Sequence, residues 1–299
     1  MSGKTTIIDS ISALRGQVAQ WRKQDLRVGF VPTMGFLHQG HLSLIHKAKA
    51  HTDRVIVSIF VNPTQFAPGE DLDCYPRDLE GDHEKVQQAG GDVIFFPSVE
   101  DMYPKDAQTF VEVKEVTKPL CGSSRPIHFR GVATIVTKLF NIVTPDLAVF
   151  GKKDFQQLVT IQRMVADLHM DIEILGGDII REEDGLALSS RNVYLSPEER
   201  TQANCLNRAL RLVRQQFASG NIDSIELVSA AKKLIQEQPL GQLDYAELRD
   251  ANTLLQVGSE EVNRTAIGTD RLFLAVHFGK TRLIDNAPLE GPCSLDTIE

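Results

Sequence analysis

The feature that most constrains this chain is a series of short, continuously apolar segments separated by amphipathic ones, running through the first 175 or so residues. Leu26–Val31, Val55–Val61, Val93–Phe96, Leu147–Phe150 and Ile172–Leu175 each read as a strand, while Gly131–Val143 and Asp154–Leu168 carry apolar residues at helical spacing. A strand that is apolar on both faces, as Val55-Ile56-Val57-Ser58-Ile59-Phe60-Val61 is, belongs inside a parallel sheet covered by helices. Parallel neighbours need crossovers, and helices supply them, so the alternation predicts an α/β, Rossmann-like domain. Thr109–Val113 alternates instead, and is expected to be an edge strand or a contact with a second copy.

After about residue 176 the texture changes. Ser196-Pro197-Glu198-Glu199 combines an N-cap serine, a proline at the first helical position and a glutamate at the third, which predicts a helix to about Ala218. A second helix is expected over Ser224–Gln236, with strands at Asp244–Leu248, Leu272–Phe278 and Arg282–Ile284. At about 150 residues per domain, 299 residues accommodate two. The division read here is residues 1–176 as a Rossmann-like, parallel-sheet nucleotide-binding domain and 177–299 as a smaller α+β domain, ending in a loose tail from about Ala287.

Composition acts by exclusion. Lys and Arg number 32 against 40 Asp and Glu, so the net charge is 32 − 40 = −8, and a broad nucleic-acid surface, which needs a basic excess, is not expected. The longest apolar run is far short of the roughly 20 residues that span a bilayer, so no membrane contact is expected. Cys74, Cys121, Cys205 and Cys293 form no C-x-x-C pair, and the N-terminus has no signal-length apolar stretch, which together predict a reduced, cytoplasmic protein.

Three segments carry chemistry. Pro32-Thr33-Met34-Gly35-Phe36-Leu37-His38-Gln39-Gly40-His41 follows the first predicted strand and leads into a helix. Such strand ends are where open α/β sheets bind ligands, and the helix N-terminus favours phosphate. Gly35 and Gly40 let main chain approach a ligand, and His38 and His41, three apart, can both donate to developing charge. The bland alternative is a pair of surface or metal-binding histidines near a turn. Gly151-Lys152-Lys153-Asp154-Phe155-Gln156-Gln157 repeats the strand-loop-helix context with lysines for phosphate, Asp154 as a helix cap and Gln157 one turn in. Alone it reads equally well as a solvated helix start. In Asp184-Gly185-Leu186-Ala187-Leu188-Ser189-Ser190-Arg191-Asn192, two hydroxyls and a guanidinium suit the charge spread over a pentavalent phosphorus, the alternative being an interdomain loop with an Arg ion pair.

An early H-x-G-H loop with a late Ser-Ser-Arg loop is the paired signature of the nucleotidylyl-transferring Rossmann-like superfamily. Within it the chain resembles the pantoate–β-alanine ligase family. The likeness also rests on Val57-Ser58-Ile59-Phe60-Val61-Asn62-Pro63-Thr64-Gln65-Phe66, Tyr75-Pro76-Arg77, Arg125-Pro126-Ile127-His128-Phe129-Arg130-Gly131-Val132 and Arg282-Leu283-Ile284-Asp285-Asn286. It runs in order from about Ile7 to Asn286. Thr64 and Leu188 stand where that family usually has Met, and Lys152 where Glu is common.

The resemblance implies an ATP-driven condensation of pantoate with β-alanine, through a pantoyl adenylate, to pantothenate, AMP and diphosphate. It implies ATP contacts from Met34, Gly35, Phe36, Leu37, His38, Gln39, Gly40 and His41, from Gly151, Lys152, Lys153 and Asp154, and from Ile180, Leu188, Ser189, Ser190 and Arg191. Of these, His41, His38, Lys153, Ser189, Ser190 and Arg191 are the expected catalytic groups. Gln65 and Gln157 are expected to hold pantoate, with Gln65 also near β-alanine, and Arg125 and His128 to face substrate carboxylates. Mg²⁺ is expected on the nucleotide phosphates, with the acidic stretch around Asp82 as a candidate ligand source. The second domain is expected to close over the ATP site, and a homodimer is expected. The rivals are a nucleotidylyltransferase that leaves the nucleotide on its product, and a non-catalytic nucleotide-binding protein on the same fold. A tRNA synthetase is disfavoured by the net charge of −8 and a length that leaves no evident tRNA-binding domain.

Overall fold

In the computed structural model, which describes residues 4–295, the apolar runs of the first half pair into one parallel sheet. Its strands are β1 (Thr6–Ile8), β2 (Val28–Thr33), β3 (Arg54–Ile59), β4 (Val93–Phe95), β5 (Leu147–Gly151) and β6 (Glu173–Gly177), in the order β1-β4-β3-β2-β5-β6. Every pairing in it is parallel. The crossovers carry helices α1 (Ile11–Arg22), α2 (Gln39–His51), α3 (Leu79–Gln88), α4 (Val99–Met102), α5 (Cys121–Ser124) and α6 (His128–Val143); α7 (Phe155–Asp167) links β5 to β6.

Strand alternation divides the buried side chains between two faces. Val31, Val55, Val57, Ile94 and Val149 pack with Leu42, Ile45 and Ala48 of α2 and Val86 of α3. Phe30 and Phe150 point the other way, each meeting Phe140 of α6 edge-on with ring centroids 6.3 Å apart. From β2 the chain builds outward through β3 and β4, then returns to place β5 and β6 on the opposite side. The order therefore reverses between β2 and β5, and their carboxyl ends flank the crevice where folds of this type take ligands.

A second compact unit is built from helices α8 (Pro197–Ala203), α9 (Cys205–Ala218) and α10 (Ser224–Gln236) and strands β7 (Gly241–Arg249), β8 (Arg271–Phe278) and β9 (Thr281–Pro288). The strands form an antiparallel sheet in the order β7-β8-β9. Leu206, Leu210 and Val213 of α9 and Leu227, Ala231 and Ile235 of α10 share one core with Leu248, Leu274, Val276 and Leu283 of the strands. By their contacts, residues up to Lys152 and Gln157–Gly177 form the first unit, and Lys153–Gln156 join the chain from Asp178 onward in the second.

Three expectations are corrected, and one strand is added. Thr109–Val113 pairs with no strand; its Val111 N–H instead donates to Thr134 Oγ1 on α6 at 3.0 Å. The helix expected from Ser196 to Ala218 is two, because Asn204 turns the chain at φ −64°, ψ −8° while its side-chain amide donates to the Asp184 carbonyl at 2.8 Å. The added strand, β1, escapes the periodicity because it is only three residues long, two of them exposed. The tail is not loose from Ala287: β9 runs to Pro288, Leu289 and Leu295 are buried, and Arg211 donates to the Leu295 carbonyl at 2.7 Å. The end of that expected tail, 296–299, lies outside the described residues, as do residues 1–3.

Candidate functional site

Residues 34–41 lie at the carboxyl end of β2 and run into α2, as the sequence predicts. Two consecutive left-handed residues, Gly35 (φ 85°) and Phe36 (φ 52°), make the turn. A Cβ at position 35 would sit 2.9 Å from the Ile59 side chain, so glycine is required there on both counts. Phe36 has no such licence, and its conformation costs about 1–2 kcal/mol. Asp82, at the start of α3, offsets that cost. Its carboxylate accepts the Phe36 and Leu37 N–H groups, both at 2.7 Å, bonds to a charged acceptor worth about 1.5–3 kcal/mol each. The side chain is 1% exposed. Burial pushes the Asp82 carboxyl above its ordinary value, against the pull of the two N–H donors. Both oxygens thus accept from the loop's main chain.

His38 is the N-cap of α2. Its Nδ1 accepts the Gly40 N–H at 3.1 Å, and the Nδ1 of His41 accepts the His38 N–H at 3.2 Å. The two rings lie 4.1 Å apart between centroids, tilted by 44°. With Nδ1 an acceptor in both rings, the tautomer that this geometry selects carries its proton on Nε2. One sequence spacing therefore supplies the cap and both rings.

The loop after β3 comes to the same place. Gln65 is buried, its Oε1 accepts from Asn62 Nδ2 at 3.0 Å, and its Nε2 lies 3.1 Å from Met34 Sδ. Asn62 is a hub: its Oδ1 accepts from the Tyr103 hydroxyl at 2.8 Å and the Thr64 hydroxyl at 2.9 Å, and its Nδ2 also reaches the Gly131 carbonyl. Thr64, at the position where methionine is usual in the family it resembles, thus adds a polar link to Tyr103. Burial pushes the Tyr103 hydroxyl pKa up, so it stays protonated.

Arg125 and His128, expected to face substrate carboxylates, engage protein groups in the structure. Arg125 grips Glu70 through Nε and Nη2 at 2.7 and 2.6 Å, and both Arg125 Nη2 and His128 Nδ1 lie against the Gln65 carbonyl, at 3.3 and 3.0 Å. They fix the Gln65 main chain. Burial raises the Glu70 carboxyl pKa, but the hydrogen bond and charge of Arg125 outweigh it and leave the value below the ordinary one.

Gly151 ends β5, a 3₁₀ turn covers Lys152–Asp154, and Gln157 stands in the first turn of α7. In the second unit, Leu188 N–H donates to the Ile180 carbonyl at 2.9 Å and Arg181 bridges Ala187, closing a hairpin over Asp184-Gly185. It delivers Ser189 as the cap of a 3₁₀ turn, Ser190–Tyr194, with its hydroxyl accepting the Arg191 N–H at 3.3 Å. Asn192 ties that turn back to Glu182 at 2.8 Å. The structure thus gathers residues 34–41 with Gln65 in the first unit, and Ile180 with residues 188–191 in the second. Sequence reasoning gives Asn62 and Tyr103 no place in the site and offers Asp82 only as a source of metal ligands; the N-P-T-Q-F run contains the only signal, for Asn62. Among the described residues, no three His, Cys, Asp or Glu side chains cluster as a metal cage would.

Comparison with known proteins follows the same lines. The sequence family described as pantoate-beta-alanine ligase matches residues 6–288. The pantothenate synthetase of Syntrophobacter fumaroxidans is 52% identical over 283 residues, covering 95% of this chain and 98% of that protein. That of Enterococcus faecalis is 51% identical over 284 residues, covering 95% and 99%. Among solved structures, pantothenate synthetase from Thermus thermophilus superposes with a TM-score of 0.90 at 42% identity, over 96% of this chain and 100% of that one. Pantoate-beta-alanine ligase from Francisella tularensis, solved with beta-gamma ATP and beta-alanine, gives 0.76 at 35% identity, over 96% and 99%.

Proposed function

The chain belongs to the pantoate-β-alanine ligase family, and from that premise we propose that it joins its substrates in two steps, through a pantoyl adenylate. The overall reaction is the ATP-driven condensation of pantoate with β-alanine to pantothenate, AMP and diphosphate. A carboxylate is inert to amines because oxide is a poor leaving group. In the first step a pantoate carboxylate oxygen attacks the α-phosphorus of ATP, and the bond to diphosphate breaks. In the second, the β-alanine amine attacks the acyl carbon of the mixed anhydride, AMP leaves, and the nitrogen sheds a proton as the amide forms. No protein nucleophile is required, so catalysis is positioning and charge stabilisation.

The observation that carries the assignment is the placement of the His38 and His41 rings, 4.1 Å apart between centroids, at the start of α2. Set at a helix N-terminus beside the β2–β5 reversal, they suit a polyphosphate on which negative charge grows. The reading assigns residues 34–41, Gly151–Asp154, Ile180 and Leu188–Arg191 to ATP, with Lys153, Ser189, Ser190 and Arg191 on its phosphates. It assigns Gln65 and Gln157 to pantoate and Gln65 to β-alanine as well, supported by the fixed amide of Gln65 next to Met34. Mg²⁺ would arrive on the nucleotide, held by phosphate oxygens and supplying charge neutralisation; a chain without a cluster of acidic ligands among its described residues fits that mode. The second unit is proposed to close over bound ATP. Cytoplasmic residence is supported by four cysteines that form no disulfide, and no described helix is long and apolar enough to cross a membrane. A homodimer completes the reading, with Phe110, 56% exposed, in the candidate contact 109–113.

The test is pantoate-dependent exchange of labelled diphosphate into ATP, with AMP release on adding β-alanine. Exchange without β-alanine, and AMP only with it, is the expected result. Binding of ATP without exchange would leave only a nucleotide-binding protein, and AMP retained on the product a nucleotidylyltransferase. Lys153→Ala is expected to slow exchange by about 10² or more with an unchanged melting curve. A variant at the wild-type rate would remove Lys153 from the chemistry.

A further inference from the structure

The Asp285-Asn286 pair near the end of β9 belongs to a motif to which the reaction assigns no task. Both side chains are buried, at 2% and 3% exposure. Asp285 receives the two terminal nitrogens of Arg181 at 2.6 and 2.9 Å, and Arg181 also reaches Ser294 and the Gly185 carbonyl, both at 3.0 Å. One guanidinium thus ties β9 to the hairpin that ends at Leu188 and presents Ser189, Ser190 and Arg191. Asp285 Oδ1 further accepts the Asn286 main-chain N–H at 2.8 Å, which sets where that side chain starts.

Asn286 faces two groups of opposite polarity. Its Oδ1 accepts from Arg271 Nη1 at 2.5 Å, and its Nδ2 donates to the main-chain carbonyl of Lys153 at 2.8 Å. The orientation of the amide is fixed by chemistry, since a guanidinium only donates and a carbonyl only accepts. Arg271 in turn lies over Phe155, its guanidinium carbon 3.9 Å from the ring centroid, two residues beyond Lys153. Lys153–Gln156 are thereby gripped at both ends by the second unit, to which their contacts assign them. Two buried full charges are a poor way to gain stability, because apolar side chains of the same volume serve as well. What such a network supplies is a fixed geometry.

We infer that Asn286 is a positioning residue: through its hydrogen bond to the Lys153 carbonyl it holds the Lys153 peptide, and with it the direction in which the ammonium is presented. Asp285 and Arg181 anchor Asn286 and, by the same network, the Ser189–Arg191 turn. The inference rests on the reading of Lys153 as a phosphate ligand.

The test is a double-mutant cycle in the full-length protein, measured by pantoate-dependent diphosphate exchange. Asn286→Asp keeps an acceptor for Arg271 and turns an oxygen toward the Lys153 carbonyl in place of the N–H donor. It is expected to lower the exchange rate about 10- to 100-fold, the scale of an ångström-sized misplacement. In the Lys153→Ala background the same change is expected to cost no more than about twofold, because the group it acts through is gone. If exchange in that background falls below detection, the ATP-induced rise in melting midpoint is compared across the four proteins in the same way. An N286D protein at the wild-type rate overturns the inference and leaves Lys153 in place. An equal loss in both backgrounds also overturns it, since a merely structural role lowers both alike. K153A at the wild-type rate overturns the Lys153 reading first. Should N286D not fold, Asn286→Ala, which deletes the donor without adding charge, goes through the same cycle with the same readings.

Discussion

At the scale of single residues, one side chain often serves two ends, and the two can be separated. His38 caps α2 through Nδ1 and carries its proton on Nε2. Asparagine is a good N-cap but has no second donor at that reach. His38→Asn is therefore expected to keep the melting midpoint near that of the parent while exchange falls about 10²-fold. His38→Ala should lose both, with about 0.5–2 kcal/mol of stability gone with the cap. Denaturation and exchange on the same preparations read the difference. The histidines are legible in the sequence because both donors lie in one short motif beside two glycines. Asp82 is not, because its partners are the main-chain N–H groups of Phe36 and Leu37, 46 and 45 positions away, and nothing in the sequence distinguishes a carboxylate that binds peptide N–H from one that binds a cation. The partners of Arg125 and His128 are hidden for the same reason: the side chains are visible in the sequence, but Glu70 and the Gln65 carbonyl, which engage them, are not.

At the scale of elements, the site depends on how closely α6 packs against the 3₁₀ turn Pro63–Gln65. The two touch at Gly131, where a Cβ would lie 2.6 Å from the Thr64 carbonyl carbon and 2.7 Å from the Gln65 nitrogen. Both are main-chain atoms and cannot rotate aside. Gly131→Ala is expected to push the turn and Gln65 outward, raising the KM for pantoate about tenfold or more while the KM for ATP changes little. Equal changes in both constants would show that Gln65 does not hold pantoate. This closeness is not readable, since a glycine in a helical pattern looks the same whether it faces solvent or a neighbouring peptide. A long element with one strong period, such as α10, and an unbroken apolar run, such as β5, are found nearly to the residue. The split of α8 from α9 is hidden because the apolar period runs through Asn204, while the break is imposed from outside by the Asp184 carbonyl.

At the scale of the whole molecule, a net charge of −8 coexists with anionic substrates, so the proposed reading requires cationic groups concentrated at the site rather than spread over the surface. The same imbalance governs acid stability. Glu70, Asp184 and Asp250 are all held below their ordinary values of 4.5 and 3.8: burial raises Glu70 and Asp250, but Arg125 outweighs it for the first, and the Thr253 and Asn252 N–H groups with Arg264 for the second. For Asp184 the hydrogen bond from Arg200 is the largest influence. A depressed carboxylate contributes stability that is complete above its ordinary pKa and is lost as the pH falls through the lowered one. Asp82 has the opposite sign, its raised value returning some stability on acidification. Because three oppose one, the melting midpoint is expected to hold from neutral pH down to about 4.5 and to fall below it. Glu70→Gln should flatten that fall in a pH series of thermal scans.

The assignment of Lys153–Gln156 to the second unit also governs how the gene can be divided. The chain passes from one unit to the other after Lys152, after Gln156 and again after Gly177, so neither unit is one uninterrupted stretch of sequence. A cut after Gly177 would strand the Lys153 carbonyl on one fragment and its Asn286 partner on the other. Recombination between relatives at that point would take residue 153 and its Asn286 contact from different parents. Swaps that carry residues 153–156 along with the second half keep the pair intact, which makes this tetrapeptide the seam along which the protein can be shuffled.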